Sequence, residues 1–320
     1  MINLESKIFI AGHKGLVGNS VLRLLKEKNY KNLITADKSK LDLKNKTKVH
    51  NFFKKQKPEF VIICAAKVGG ILENKTYQLD FLLDNIDIQN NILLSSKKFN
   101  VKRVIFLGSS CIYPKKSKIP IKEEYIMTGK LEKTNEAYAI SKIAGIKLSS
   151  ILYEQFKQDI VCLMPTNIYG ENDNFEIASS HVIPGLISKF VLAKKVNKNV
   201  KVWGTGKAIR EFMHVNDLAD AIIKILKTPK KKIKEIVGHG IPIINVGSGE
   251  SISIKNLALL IKKILKFKKE ILFDNKYPDG TIIKNLDSTK MKKLNWKPKI
   301  KLVDGLTKVI QSRLNYDKKK

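Results

Sequence analysis

The chain has 320 residues, 43% of them apolar, with 61 Lys and Arg against 29 Asp and Glu, a formal net charge of +32. That length and apolar content exclude a string of small modules and fit one large α/β unit or two lobes sharing a core. The lysines are scattered from Lys7 to Lys320 with no basic arm, RNA-binding aromatic signature or zinc-finger spacing. With Asn and Ile also plentiful, this reads as a solvated lysine surface that draws small anions, not as a nucleic-acid face.

Cys64, Cys111 and Cys162 are widely spaced and two lie inside apolar runs, which is no disulfide framework and fits a reducing cytoplasm. The start, MINLESKIFIAG, lacks the basic and apolar regions of a signal peptide, and no apolar run reaches membrane-spanning length, so no membrane partner is expected.

In chain order, KIFIAG reads as a strand closed by glycine, and GLVGNSVLRLLKEKNY has helical apolar spacing. Further strands are predicted in NLITAD, ending near Asp37, in PEFVIICAA, ending at Ala66, in VKRVIFLGSS, ending at Ser110, and in QDIVCLMPTNIYG, ending near Gly170. Strands alternating with helices predict a Rossmann-type, doubly wound parallel sheet with its sites at the carboxyl ends of the strands. After Gly170 the alternation loosens. HVIPGLISKFVLAKK and HVNDLADAIIKILKT read as helices, KVWGTG as a short strand and PIINVGSG as strand then turn. TPKKKIKEIVGHGIP is expected to be an exposed loop and the YDKKK tail to fray. The expected division is a dinucleotide-binding domain over 1–170 with returns at about 213–248, and a smaller C-terminal substrate lobe from 171–212 and 249–320.

Gly12-His13-Lys14-Gly15-Leu16-Val17-Gly18 is a GxxGxxG fingerprint that follows a strand and opens a helix. Glycines let the turn close and let a pyrophosphate approach the helix N-terminus, whose dipole and free N–H groups favour its charge. At the end of the second strand a carboxylate suits the ribose 2′-OH of NAD and cations suit the 2′-phosphate of NADP. Asp37 and Lys38 offer both; Lys14 adds a second cation and favours NADP(H).

Tyr138 and Lys142, in YAISK, stand four residues apart and share a helix face. An ammonium beside the phenol is expected to lower its pKa toward neutrality and make it a general acid or base. Ser109 ends a strand 29 residues earlier, and Cys111 follows within GSSCIYP. No His/Cys/Asp cluster has metal spacing, so no metal is expected; His13 belongs to the glycine loop, and His50, His214 and His239 read as surface or structural.

This combination resembles the extended short-chain dehydrogenase/reductase superfamily, in which Ser, Tyr and Lys form the catalytic set beside the nicotinamide. AAKVGGILENKTYQLDFLLDNIDIQNNIL, FLGSSCIYP, TNEAYAISKIAGIKL, MPTNIYGENDNF, SSHVIPGLISKF, VWGTGKAIREFMHV and PDGTIIKNLD are similar to stretches of the GDP-L-fucose synthase family, from Gly12 to about Trp296. The resemblance implies an NADP-dependent oxidoreductase and isomerase that inverts C3 and C5 of GDP-4-keto-6-deoxy-D-mannose and reduces its C4 ketone. It implies Cys111 as the epimerisation base, His181 as its acid partner, Ser109 and Tyr138 at the ketone oxygen, with Ser109 also against the cofactor, and Lys142 tuning Tyr138 and binding the nicotinamide ribose. It also implies that Lys38, Leu41, Leu107, Gly108, Pro165, Thr166, Asn167, Ile168 and His181 join the glycine loop around the cofactor. Lys189, Trp203, Arg210, Asp279 and Lys284 then receive the GDP-sugar, with Arg210 able to bind phosphate bidentately. Lys14 and Lys189 depart from the arginines usual there. By analogy a homodimer forms through the stretches near Asn85 to Phe99 and Ala137 to Phe156. Relatives acting on a GDP-4-keto-3,6-dideoxy sugar or a GDP-4-keto-heptose are close alternatives. A non-catalytic dinucleotide- or RNA-binding protein is a distant one, because a binding module has no need of a tuned phenol.

Overall fold

The computed structural model describes residues 2–238, 240, 242–277 and 279–318; His239 and the last two lysines of the tail lie outside them. Six strands form one parallel sheet: β1 (Ile8–Ala11), β2 (Leu33–Ile34), β3 (Phe60–Ile63), β4 (Arg103–Leu107), β5 (Ile160–Pro165) and, after three strands elsewhere, β9 (Ile243–Val246), in the order β2-β1-β3-β4-β5-β9. Parallel strands covered on both faces must be apolar throughout, and β1, β3 and β4 are buried at every position. Helices α1 (Leu16–Glu27), α2 (Lys46–Gln56), α3 (Ile71–Thr76), α4 (Gln78–Lys98) and α5 (Glu136–Phe156) connect the first five strands. One core packs Ile8, Ile10, Ile62 and Ile105 against α1; the other packs Phe9, Val61, Val104 and Phe106 against α2, α4 and α5.

The expected strand QDIVCLMPTNIYG divides in two. After Pro165 the side chains of Thr166 and Asn167 both donate to the Glu211 carbonyl, at 3.0 and 2.8 Å, and draw β6 (Asn167–Tyr169) away from the sheet to pair with β8 (Ile209–His214). β8 also pairs with β10 (Ser251–Ser253) and β12 (Ile283–Lys284), while β7 (Val200–Trp203) pairs with β11 (Ile271–Asp274). These strands, with α6 (Val182–Lys195), α9 (Ile254–Ile264) and α11 (Leu302–Lys318), enclose a third core around Phe190, Val202, Phe212, Leu257 and Val309. α7 (Val215–Lys227) packs on α1, and α10 (Thr289–Lys293) on β9.

The segment expected to be an exposed loop after Pro229 instead forms α8 (Lys230–Val237). Ile233 and Val237 are four residues apart on one face and join the first core, which outweighs the charge around them. The tail is helical through Lys318, so within the described residues YDKKK continues α11 where fraying is expected.

α4 and α5 approach closely because α5 carries Gly145. A Cβ there would lie 2.6 Å from both Phe106 Cζ and Gln89 Oε1. Gln89 in turn donates to the Ser141 carbonyl at 2.7 Å, fixing the helix that carries Tyr138 and Lys142 over the end of β4.

Candidate active site

Gly12 leaves β1 with φ of +84°, and a Cβ at that position would meet Ala65 Cα and N at 2.7 Å. Only glycine takes this backbone conformation at low cost while its neighbour's backbone is so near. Gly15 caps α1 with no side-chain hydrogen bond, and the first turn of the helix holds no acidic residue. The N–H groups there are left for an anion, with the positive end of the helix dipole behind them. Asp37, beyond β2, pairs with His13 Nε2 at 3.2 Å and Lys14 Nζ at 3.0 Å. The hydrogen bond from Lys14 holds the Asp37 carboxyl below its ordinary value. Lys38 is exposed beside them, and Leu41 is buried in the core with its N–H given to the Asp37 carbonyl.

At the end of β4, Leu107 and Gly108 lead into Ser109, whose Oγ accepts from Cys111 N at 3.1 Å. Ser109 and Cys111 both lie close enough to the Tyr138 phenol to act on its proton affinity. Tyr138 is half-buried. Lys142 is 3% exposed and donates from Nζ to the Leu107 carbonyl at 2.9 Å.

Lys142 does not draw the Tyr138 phenol toward neutrality as its spacing suggests. Nζ lies 6.0 Å from the Tyr138 ring centroid and 5.0 Å from that of Phe106, and burial pushes the phenol well above its ordinary value. Burial also pushes Lys142 down to about 8. The phenol therefore keeps its proton at neutral pH and is a proton and hydrogen-bond donor. Burial pushes Cys64 and Cys162, both near Lys142, up to about 12, so these two thiols are inert.

The far wall comes from the third core. Lys284 Nζ stands 3.6 Å from Cys111 Sγ. Arg210 donates to the carbonyls of Ile209 at 2.8 Å and Asp279 at 3.0 Å, and Cys111 acts on its charge. The Asp279 carboxylate accepts from Thr205 N at 2.8 Å and Thr205 Oγ1 at 2.6 Å, so it braces the Gly204–Gly206 turn. Lys189 Nζ lies 3.8 Å over the Trp203 ring, and burial pushes this lysine down to about 8. Trp203 is 36% exposed and stacks on Tyr277, 4.5 Å between centroids at 12°, a partner that no spacing in the sequence signals.

His181 caps α6 with its side chain exposed, and among the described residues no hydrogen bond joins it to Cys111. Its loop is pinned from Gly70, whose N–H donates to the Ser179 carbonyl at 2.9 Å. The same loop holds Asp173, unremarked in the sequence, whose carboxyl is pushed up to about 7 by burial and has one buried oxygen without a partner. His214 is buried and structural, its Nδ1 accepting from Asn216 N at 3.2 Å and its Nε2 3.3 Å from Glu171. Among the described residues no group of His, Cys, Asp and Glu could hold a metal ion.

A parallel sheet with an uncapped glycine turn at its first crossover, beside a Ser, Tyr and Lys set, defines a dinucleotide-binding reductase or epimerase of the short-chain type. The chain belongs to the NAD dependent epimerase/dehydratase family, whose sequence profile matches residues 8–247. It is 46% identical to "Putative GDP-L-fucose synthase 2" of Arabidopsis thaliana, over 97% of this chain and 92% of that one. It is 41% identical to "GDP-L-fucose synthase" of Escherichia coli over 96% of each. The crystal structure of a GDP-6-OMe-4-keto-L-xylo-heptose reductase from C. jejuni superposes with a TM-score of 0.92 at 33% identity, covering 100% of this chain and 99% of that one.

Proposed function

We propose that this chain is a bifunctional, NADPH-dependent enzyme that epimerises C3 and C5 of GDP-4-keto-6-deoxy-D-mannose and reduces the C4 ketone to give GDP-L-fucose. The observation that carries this reading is the Cys111 thiol at the Ser109–Tyr138 pair, in a cleft walled by two cations. A plain ketoreductase has no use for a thiol there. The likeness to GDP-L-fucose synthases along nearly the whole chain supports it.

The glycine turn, with its close Gly12 and open α1 N-terminus, fits a dinucleotide diphosphate, and Lys14 and Lys38 suit a 2′-phosphate. When bound, NADPH supplies the hydride that reduces C4. Ser109 and Tyr138 hydrogen-bond the C4 oxygen in both reactions. For each inversion Cys111 takes the proton from the carbon alpha to the ketone, the electron pair moves onto that oxygen, and His181 returns a proton to the opposite face. In the reduction Tyr138, kept protonated by burial, gives its proton to the C4 alkoxide. Lys189, Trp203 and Arg210 receive the GDP moiety.

The smaller lobe built on α6, α9 and α11 is the substrate lobe in this reading, and the enzyme works in the cytoplasm. Leu83 and Leu94 on α4 and Ile140 and Ile151 on α5 are exposed and form the face through which two copies pair.

With the GDP-keto sugar and NADPH, absorbance loss and inverted C3 and C5 in the product are expected. Cys111→Ser should bind NADPH yet lose exchange of the C3 and C5 protons with solvent deuterium, followed by NMR. Wild-type exchange in that variant refutes the base assignment. The overlay on the heptose reductase supports a second reading, in which a GDP-4-keto-heptose is reduced; preferential turnover of that sugar would select it.

A further inference from the structure

Once Cys111 has given up its proton, a negative sulfur needs a counter-charge. Lys284 Nζ donates to Cys111 Sγ across 173 residues of sequence, at 3.6 Å. Its strand is clamped on several sides. Lys284 lies opposite Arg210 where β12 runs parallel to β8. Two residues on, Leu286 N donates to the buried Glu211 carboxylate at 2.9 Å. Ile121 N donates to the Asn285 carbonyl and Asp287 N to the Ile121 carbonyl, both at 2.8 Å, tying β12 to the segment that runs on from the Cys111 turn. One joint thus holds both halves of the thiol–ammonium contact. Among the described residues no carboxylate forms an ion pair with Lys284.

We propose that Lys284 is a positioning residue for epimerisation: its ammonium orients the Cys111 thiol and balances the charge of the thiolate, leaving the diphosphate to Lys189 and Arg210. The proposal rests on the reading of Cys111 as the base. In the step it serves, the C–H bond alpha to the ketone breaks and its proton forms the S–H bond. The electron pair moves to the C4 oxygen, held by Ser109 and Tyr138, and sulfur passes from anion to neutral thiol. No oxidant or reductant is consumed.

The test uses the full chain with NADPH bound and no sugar present. Alkylation of Cys111 by iodoacetamide is followed peptide by peptide, with Cys64 and Cys162 as internal controls. A charged donor that raises the thiolate fraction about tenfold also lowers the nucleophilicity of that thiolate, leaving a gain of about threefold in rate. Lys284→Met and Lys284→Gln are expected to slow Cys111 alkylation by about that factor, and Lys284→Arg to restore most of the rate. With the sugar added, kcat for C3 and C5 deuterium exchange should fall in parallel, with KM within about twofold. NADPH binding equal to wild type reports a folded variant, and the Gln and Arg variants decide the matter if Met impairs folding. Unchanged alkylation with a strongly raised KM overturns the proposal and returns Lys284 to the diphosphate. If Cys111→Ser exchanges normally, the base assignment falls and takes this proposal with it. If Cys111→Ser loses exchange while the Lys284 variants alkylate normally, only the role of Lys284 falls.

Discussion

Lys142 is a cation placed where water cannot solvate it, so its replacement is expected to trade activity for stability. Its fall from the ordinary lysine value of 10.5 to about 8 corresponds to roughly 3 kcal/mol of charge burial below that pH. Replacing it by Met forfeits the 2.9 Å bond to the Leu107 carbonyl, about 1 kcal/mol, and leaves a net gain of about 2 kcal/mol. For a chain of this size that is a rise in melting temperature of roughly 4 °C. The gain depends on pH. Unfolded Lys142 holds its proton up to about 10.5 and native Lys142 only to about 8, so between those values the unfolded state binds more protons and wild-type stability rises with pH. The advantage of Lys142→Met should therefore be full below about pH 8 and shrink as pH climbs toward 10.5, while reduction falls roughly a hundredfold. Melting curves of both proteins over that range, with NADPH oxidation rates beside them, check this. A variant that melts below wild type at neutral pH, or a gap that does not narrow as pH rises, would refute the reasoning.

Lys189, protonated below about 8, should lose its hold on an anionic diphosphate as pH passes that value. KM for the GDP-sugar is expected to rise there in wild type and to stay level in Lys189→Arg; identical profiles would remove Lys189 from the site. Asp37 occupies Lys14, so Asp37→Asn should free that cation and tighten NADPH by roughly threefold while weakening NADH. Fluorescence titration of the two cofactors reads this directly, and weaker NADPH binding would speak against it.

Much of the nucleotide half was legible because its signals are local. GxxGxxG, YAISK and the apolar strand runs each lie within a few residues, and the sheet they predict is the one observed, with PIINVGSG returning to it as β9. The C-terminal lobe was not legible in this way. Its sheet joins β6, β8, β10 and β12, short strands brought together from four separate parts of the chain. A backbone hydrogen bond between strands so far apart leaves no period in the sequence. α8 was hidden for a different reason: its lysines point outward and conceal the apolar residues, Ile233, Ile236 and Val237, that fasten it.

The sequence by itself determined which chemical groups are available: a glycine turn for a dinucleotide, a phenol and an ammonium one helical turn apart, and a thiol two residues beyond a strand-end serine. Only the tertiary structure decided their states, because charge and proton affinity depend on burial and on neighbours distant in sequence. It places Lys142 on the Leu107 carbonyl and leaves Tyr138 protonated, reversing the expectation from spacing. It ties Asp279 to Thr205 and brings Lys284 to the sulfur of Cys111, because a strand near the end of the chain closes against a turn near its first third.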